Sequence, residues 1–344
     1  MHRLLRRRII WALLVIFLLT TGISVAVFNW TRNFFANQAF AISPLVEPPD
    51  VVATPDGGKD LGVMPKAWNG KERVNILLLG IDQREGEKDT GFRTDTMIIL
   101  TIDPISHDAG LLSVPRDTWV EIPDFDHFDR INTANSIGDT RDYPGGGSAL
   151  ARKAVEQLLG VSIHYTARMN FTAFETMVDA IGGIEVDVDQ DIDDPKYPTN
   201  NYGYETFQIS KGLHLLDGAT ALKYARTRYT LEHGDFDRAR HQQQVIMAVR
   251  EKVKRPEVIA SLITRGPDLI EQLSGSIKTD MTLEQAQEMM SLALQIDRNK
   301  IRFAVLDSHY TTQTTTPEGA IVQVPIHSKI AELRDAFFST TPGQ

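Results

Sequence analysis

The run Val74–Leu79 constrains the fold more than any other feature of this sequence. It is largely apolar and ends at Gly80. A strand that does not alternate apolar and polar residues is typical of a sheet that is buried on both faces. Both faces of the sheet therefore have to be covered, and helices are the usual cover.

The rest of the chain alternates strand and helix patterns. Further strands are predicted at Thr96–Ile102, Gly110–Val114, Ile184–Val188 and Ile301–Leu306. Helical spacing predicts helices at Ala149–Leu159, Phe171–Ile181, Asp217–Ala225, Phe236–Lys254, Glu257–Leu273, Leu283–Gln295 and Pro325–Phe338. We therefore expect an α/β domain over residues 72–340, with a mixed central β-sheet flanked by helices (α/β/α). Its core would span residues 73–254, and residues 255–340 would complete it.

The N-terminus predicts a membrane anchor. Four arginines within residues 1–8 precede the uncharged run Ile9–Phe28, which is long enough to span a bilayer as a helix. Because basic flanks stay in the cytoplasm, we expect a cytoplasmic tail over residues 1–8, a single transmembrane helix over residues 9–30, and everything after it outside the cell. A cleaved signal peptide is the alternative, but its apolar stretch is normally shorter. The prolines and glycines of residues 31–71 predict a linker.

Composition excludes several kinds of chemistry. The 344 residues include no cysteine, which excludes disulfides, cysteine-ligated metals and thiol catalysis. The sequence also lacks the Walker loop, the strand-linked GxGxxG, the GxSxG elbow and the HExxH motif. A formal net charge of −9 argues against nucleic acid as a partner.

Arginine and aspartate recur together near the ends of the first three strands. The three segments are Gly80–Arg84, Arg93–Thr96 and Pro115–Thr118. If the second strand runs antiparallel to its neighbours, all three lie at one edge of the sheet, where α/β proteins bind ligands. Such a set suits a divalent cation on carboxylates with guanidinium groups around phosphate oxygens. Surface ion pairs are the alternative for any single segment.

A second polar cluster lies downstream. Arg226 and Arg228 would diverge on a helix but share a face if the helix from Asp217 ends near Ala225. Arg238 and Gln242 lie one turn apart on the next helix, whose N-terminus attracts anions. An apolar stripe of valines continues behind them, which fits either a lipid contact or ordinary core packing.

With these residues assembled, the chain resembles the LytR–CpsA–Psr family of bacterial envelope proteins. The resemblance covers roughly residues 73–254. The motifs that carry it are Asn75–Asp82, Arg93–Thr96, Ser113–Thr118, Ile184–Val188, Tyr224–Arg228 and Gly234–Phe236.

The resemblance implies a phosphotransferase that moves a teichoic acid, capsule or similar glycopolymer from a polyprenyl-pyrophosphate carrier to peptidoglycan. It implies Mg²⁺ on Asp82 and Asp95, and a hydrophobic tunnel for the prenyl chain. It implies that the pyrophosphate is held by Arg84, Arg93, Arg116, Arg226, Arg228, Arg238 and Gln242. One departure is that His241 stands where the family usually has a second arginine, with Arg240 beside it.

Transfer of this kind needs positioning and positive charge more than a covalent nucleophile. Water can replace the acceptor at the same site, which predicts a slow pyrophosphatase side activity. We expect the catalytic residues to be Arg84, Arg93, Arg116 and Asp235, with Asp235 as the general base. The expected localisation is the cell membrane, with a single span and an extracellular catalytic domain. A prenyl-pyrophosphate phosphatase and a non-catalytic, regulatory polyprenyl-phosphate-binding protein remain the alternatives.

Overall fold

The computed structural model describes residues 65–83, 87, 91–199, 203–228 and 231–339, apart from the side chains of residues 263, 267 and 270. The predicted cytoplasmic tail, the predicted transmembrane helix, most of the predicted linker and Arg84 lie outside these residues. Within the described ranges, no helix combines the length and the hydrophobicity needed to cross a membrane.

The described chain forms strands and helices in alternation, numbered here in chain order. The strands are β1 (Val74–Ile81), β2 (Thr94–Asp103), β3 (Asp108–Ser113), β4 (Trp119–Ile122), β5 (His127–Arg130), β6 (Tyr165–Asn170), β7 (Ile184–Val188), β8 (Ile192–Pro198), β9 (Tyr204–Ile209), β10 (Gly212–Leu216), β11 (Ile277–Thr279), β12 (Ile301–Val305), β13 (Thr311–Thr315) and β14 (Ile321–Pro325). The helices are α1 (Thr133–Thr140), α2 (Gly146–Leu159), α3 (Phe171–Ala180), α4 (Gly218–Arg226), α5 (Asp235–Val253), α6 (Pro256–Leu273), α7 (Leu283–Gln295) and α8 (His327–Phe338).

Six strands form the central sheet, in the order β11-β6-β1-β2-β3-β12. Strand β1 pairs parallel with β6 and antiparallel with β2, and β2 pairs antiparallel with β3. The mixed sheet and the antiparallel second strand are therefore both confirmed. As a result, the end of β1, the start of β2 and the end of β3 lie at the same edge.

Both faces of the sheet are covered, as the apolar run of β1 predicts. Leu77 and Leu79 point into a core that includes Leu150 of α2 and Phe337 of α8. Val74, on the other face, belongs to a core with Met289 of α7. Alternate residues of one strand reach opposite faces, so β1 has to be apolar along almost its whole length.

A separate core holds the elements that follow α3. It joins α4 and α5 to the strand pairs β7–β10 and β8–β9 through side chains such as Tyr197, Phe207 and Tyr224. Val245 is buried in the same core, and Val249 and Val253 pack against it. For Val249 and Val253, core packing therefore accounts for the valine stripe of α5.

The sequence pattern did not predict several of the strands and helices that the structure contains. Strand β6 is the most consequential, because it lies next to β1 in the central sheet. Its Arg168 is buried and donates from Nη1 to Asp139 Oδ2 at 2.9 Å and to Asn135 Oδ1 at 3.0 Å. A buried arginine with partners on α1 breaks the apolar pattern by which a central strand is recognised.

The burial of strand β1 predicts that a cavity made in it lowers the stability of the domain. Leu77 is 0% exposed, so Leu77→Ala should lower the free energy of unfolding by about 2–5 kcal/mol. Leu215 on β10 is 66% exposed, and Leu215→Ala should change it by no more than about 0.5 kcal/mol. Chemical denaturation of both variants measures the difference, and equal losses would contradict the assigned core.

Candidate active site

The three loops at the shared edge of β1, β2 and β3 open onto one cavity of about 230 Å³. Asp82 follows β1, Asp95 lies at the start of β2, and Arg116 follows β3. All three line the cavity, together with residues from the second cluster. Those residues are Arg226, Arg228, Arg238 and Gln242. The two clusters, about 110 residues apart or more along the chain, therefore form one site.

The end of helix α4 brings two arginines into the cavity. Arg226 is the last residue of α4, and Thr227 is already extended, with φ −59° and ψ 145°. Residues two apart point the same way in extended backbone but diverge on a helix. Because the helix stops at Arg226, both Arg226 and Arg228 reach the cavity.

The two aspartates that could hold a cation are both paired with arginine. Arg116 Nη1 donates to Asp95 Oδ1 at 2.7 Å, and Arg226 Nη2 donates to Asp82 Oδ2 at 3.2 Å. Burial raises the pKa of Asp95, but the charges of Arg116, Arg238 and Arg226 outweigh it and lower that pKa below its ordinary value. Asp95 is therefore ionised at neutral pH and suited to bind a cation.

Burial likewise works against the charge on Arg116. It lowers the pKa of the guanidinium, but Asp95 and Asp235 outweigh it and raise that pKa above its ordinary value. Arg238 is more deeply buried, and its pKa is lowered by that burial although Asp235 opposes the change. The carboxylates are thus what keeps positive charge concentrated in this cavity.

Asp235 connects three of the arginines. Its Oδ2 accepts from Arg238 Nη2 at 2.9 Å and lies 3.3 Å from Arg116 Nε, and its Oδ1 lies 3.8 Å from Arg228 Nη1. Gly234, with φ 53°, is the N-cap of α5, so Asp235 is the first helical residue rather than a cap. Asp235 is not one of the residues that line the cavity, and its side chain is 23% exposed.

An apolar cavity of about 130 Å³ adjoins the charged one. Its walls come from β1, β2, β6, α3, α4 and α5 and include Leu78, Met169 and Val245. Both cavities are lined by Thr96, Phe171, Arg226 and Gln242. Arg226 stacks over Phe171 at 4.0 Å, and Gln242 Nε2 donates to Ala225 O at 3.2 Å. A molecule with a charged head and an apolar tail can therefore occupy both cavities at once.

The predicted arginines do not all contribute equally. Arg93 is exposed and does not line the cavity, and Arg84 lies outside the described residues. Conversely, the sequence prediction omitted Phe171, Asp194, Lys196, Pro198 and Tyr204, which also line it. Except for Phe171, these omitted residues belong to the β8–β9 hairpin, whose sequence is mostly polar and has no recognised motif.

Asp82 and Asp95 fit a magnesium ion that takes its remaining ligands from water and substrate. Across the described ranges, no group of three or more histidine, aspartate or glutamate side chains could hold a metal. Mg²⁺, however, is usually bound by one or two carboxylates and completes its shell with water and substrate phosphate. Asp82 and Asp95 line the same cavity as the arginines, so they match that donor set.

Comparison with known proteins decides the family. Residues 54–338 match the LytR_cpsA_psr family. The chain belongs to this family. The matched segment includes both arginine clusters and every element of the central sheet.

Individual relatives and solved structures are similar to this chain as well. The polyisoprenyl-teichoic acid–peptidoglycan teichoic acid transferase TagU of Oceanobacillus iheyensis is 33% identical over 300 residues, which cover 87% of this chain and 84% of that protein. The transferase of the same name from Bacillus cereus is 34% identical over 63% of this chain and 64% of its own length. The structure "TagT bound to LI-WTA" aligns with a TM-score of 0.62 at 25% identity, covering 82% of this chain and 98% of that one.

The position at which this chain departs from the family motif is buried. His241 is 5% exposed, and its ring stacks on Tyr224 with 4.3 Å between centroids. No described residue forms a hydrogen bond with its Nδ1. Arg240 instead contacts Asp237 and Asp307, at 2.5 and 3.4 Å. Neither residue lines the charged cavity, whose arginines are Arg116, Arg226, Arg228 and Arg238.

The burial of His241 predicts a dependence of stability on pH. Burial lowers the pKa of His241, and Asp237 and Asp189 only partly oppose it. The unfolded chain therefore binds a proton on this residue more readily than the folded one. The contribution of neutral His241 to the free energy of unfolding is therefore complete above the ordinary histidine pKa of about 6.5. It is lost progressively as the pH falls below that value. Replacing His241 by Phe should reduce the loss of melting temperature between pH 7 and pH 5; an unchanged loss would contradict this.

Proposed function

We propose that this protein is a phosphotransferase that moves a cell-wall glycopolymer from a polyprenyl-pyrophosphate carrier to peptidoglycan. The observation that carries the proposal is the pair of joined cavities, one cationic and one apolar, with Arg226 and Gln242 at their junction. The teichoic acid transferases among its relatives support the same class of reaction.

The joined cavities suit the two ends of a prenyl pyrophosphate. The apolar cavity suits the first isoprene units, whose burial is favourable by about 25 cal/mol per Å² of apolar surface. The pyrophosphate would then lie among Arg116, Arg226, Arg228 and Arg238. Guanidinium groups stay charged and bind phosphate oxygens bidentately, which favours arginine over lysine for this task.

The proposed reaction breaks one phosphoanhydride bond. An acceptor hydroxyl of peptidoglycan attacks the phosphorus that bears the glycan. The bond from this phosphorus to the bridging oxygen breaks, polyprenyl phosphate leaves, and the glycan phosphate becomes esterified to the acceptor. Negative charge grows on the bridging and non-bridging oxygens, which the four arginines stabilise.

The acceptor proton passes to Asp235 in this proposal. Its carboxylate contacts Arg116, Arg228 and Arg238, so it can take up a proton only when it gives up some of these contacts. Phosphate oxygens of the donor compete for the same guanidinium groups. Donor binding would therefore release Asp235 at the moment when a base is needed.

Asp82 and Asp95 would hold Mg²⁺. The bound ion would supply Lewis-acid stabilisation and a template for the pyrophosphate. We further propose that residues 9–30 anchor the protein in the cell membrane and that the domain over residues 72–340 lies outside the cell, where peptidoglycan is accessible.

The carboxylates separate the proposed function from its alternatives. In vesicles that contain the full-length protein and a glycan-bearing prenyl pyrophosphate, Asp82→Asn combined with Asp95→Asn should lower transfer to peptidoglycan by about 100-fold or more. Removal of Mg²⁺ should have a comparable effect. The matched control Asp335→Asn removes a surface ion pair and should leave transfer unchanged. Donor binding without transfer in the wild type would favour a binding protein, and phosphate release without use of an acceptor would favour a phosphatase.

Substitution of Asp235 tests the proposed base. Asp235→Asn should keep donor binding within a few-fold, because the arginines remain, but should abolish transfer. Retention of prenyl pyrophosphate on the vesicle-bound protein measures the first quantity, and labelled glycan in peptidoglycan measures the second. Near-normal turnover would remove Asp235 from the role of base.

A further inference from the structure

The β8–β9 hairpin contributes to the wall of the charged cavity but not to the wall of the apolar one. Asp194, Lys196, Pro198 and Tyr204 line the charged cavity, whereas no residue of this hairpin lines the apolar cavity. A donor that places its prenyl chain in the apolar cavity and its pyrophosphate among the arginines would extend its remaining part, the glycan, toward this hairpin.

The pairing of the two hairpin strands contains an irregularity. Asp194 pairs with Phe207 and Tyr197 with Glu205, so one strand has one more residue than the other at Pro195–Lys196. A β-bulge of this kind redirects side chains. Asp194 Oδ1 accepts from the backbone amide of Lys196 at 3.0 Å, which holds the bulge in the form that turns Lys196 to the cavity.

The same hairpin is attached to the segment that carries the site arginines. Asp194 is 1% exposed, and its Oδ2 accepts from the hydroxyl of Thr227 at 2.6 Å. Tyr197, whose ring packs on Phe207 at 6.0 Å, accepts at its hydroxyl from Arg226 Nη1 at 3.3 Å. The hairpin is thus held in a fixed position next to Arg226 and Arg228.

Two side chains of the hairpin line the charged cavity but do not belong to the hydrophobic core beneath the hairpin. Tyr204 is 69% exposed, although it is a large aromatic residue, and Lys196 is exposed as well. An exposed aromatic ring offers an apolar face and a polar hydroxyl, which suits the face and the edge of a sugar ring. An ammonium group beside it suits the hydroxyl or phosphate oxygens that a glycan chain carries.

We infer that the β8–β9 hairpin binds the first sugars of the donor glycan, with Tyr204 against a sugar ring and Lys196 at its oxygens. This inference rests on the proposed function and adds to it the residues that select the glycan. The hairpin residues would act on donor affinity rather than on the chemical step, because neither side chain belongs to the arginine cluster.

The test compares two donors with the full-length protein in vesicles. One is a prenyl pyrophosphate that bears a disaccharide, and the other is the same prenyl pyrophosphate without sugar, whose hydrolysis releases phosphate. For Tyr204→Ala and for Lys196→Ala, KM for the sugar-bearing donor should rise roughly fivefold relative to KM for the sugar-free donor. In both variants kcat should change little, and Tyr204→Phe should restore most of the affinity.

Two exposed residues serve as matched controls. Phe128 on β5 is 57% exposed and Lys211 precedes β10, and neither lines the cavity. Phe128→Ala and Lys211→Ala should leave the ratio of the two KM values at the wild-type value. An unchanged ratio in the hairpin variants, or an equal rise for both donors, would overturn the inference. If the wild type turned over neither of the two donors, the proposed function would be overturned, and the inference with it.

Discussion

The direction of the first three strands determines where everything else in the site can lie. Because β2 runs antiparallel to β1 and β3, the end of β1 and the start of β2 meet at one edge. Asp82 and Asp95 therefore lie beside each other in space, although a loop separates them in sequence. With β2 parallel, Asp95 would start at the opposite edge of the sheet, and the cavity would lose one of its two acidic side chains.

Charge balance explains why so many arginines can share one cavity. Guanidinium groups this close repel one another, and burial adds a further cost that is visible in the lowered pKa of Arg238. Asp95 and Asp235 offset both effects through contacts of 2.7 to 3.3 Å with Arg116 and Arg238. An incoming phosphate has to compete with these carboxylates, which favours a ligand with more than one charge over a single weak anion.

Sequence patterns predicted the parts of this protein in which one physical effect dominates. The apolar strand β1 and the amphipathic helix α7 were found almost at their observed bounds, because burial alone fixes their patterns. Strand β6 was missed because its Arg168 is buried through partners on a distant helix. The site was predicted where it depends on charged motifs, and it was missed at Tyr204, whose position depends on a pairing irregularity that no local pattern reveals.

The contact between Asp194 and Thr227 links the β8–β9 hairpin to the segment that carries two of the site arginines. Thr227 lies between Arg226 and Arg228, at the point where helix α4 gives way to extended backbone. By accepting from its hydroxyl, Asp194 stabilises the conformation in which both arginines point the same way. The same carboxylate holds the bulge that turns Lys196 to the cavity. One buried side chain thereby fixes the β8–β9 hairpin against the segment that carries Arg226 and Arg228.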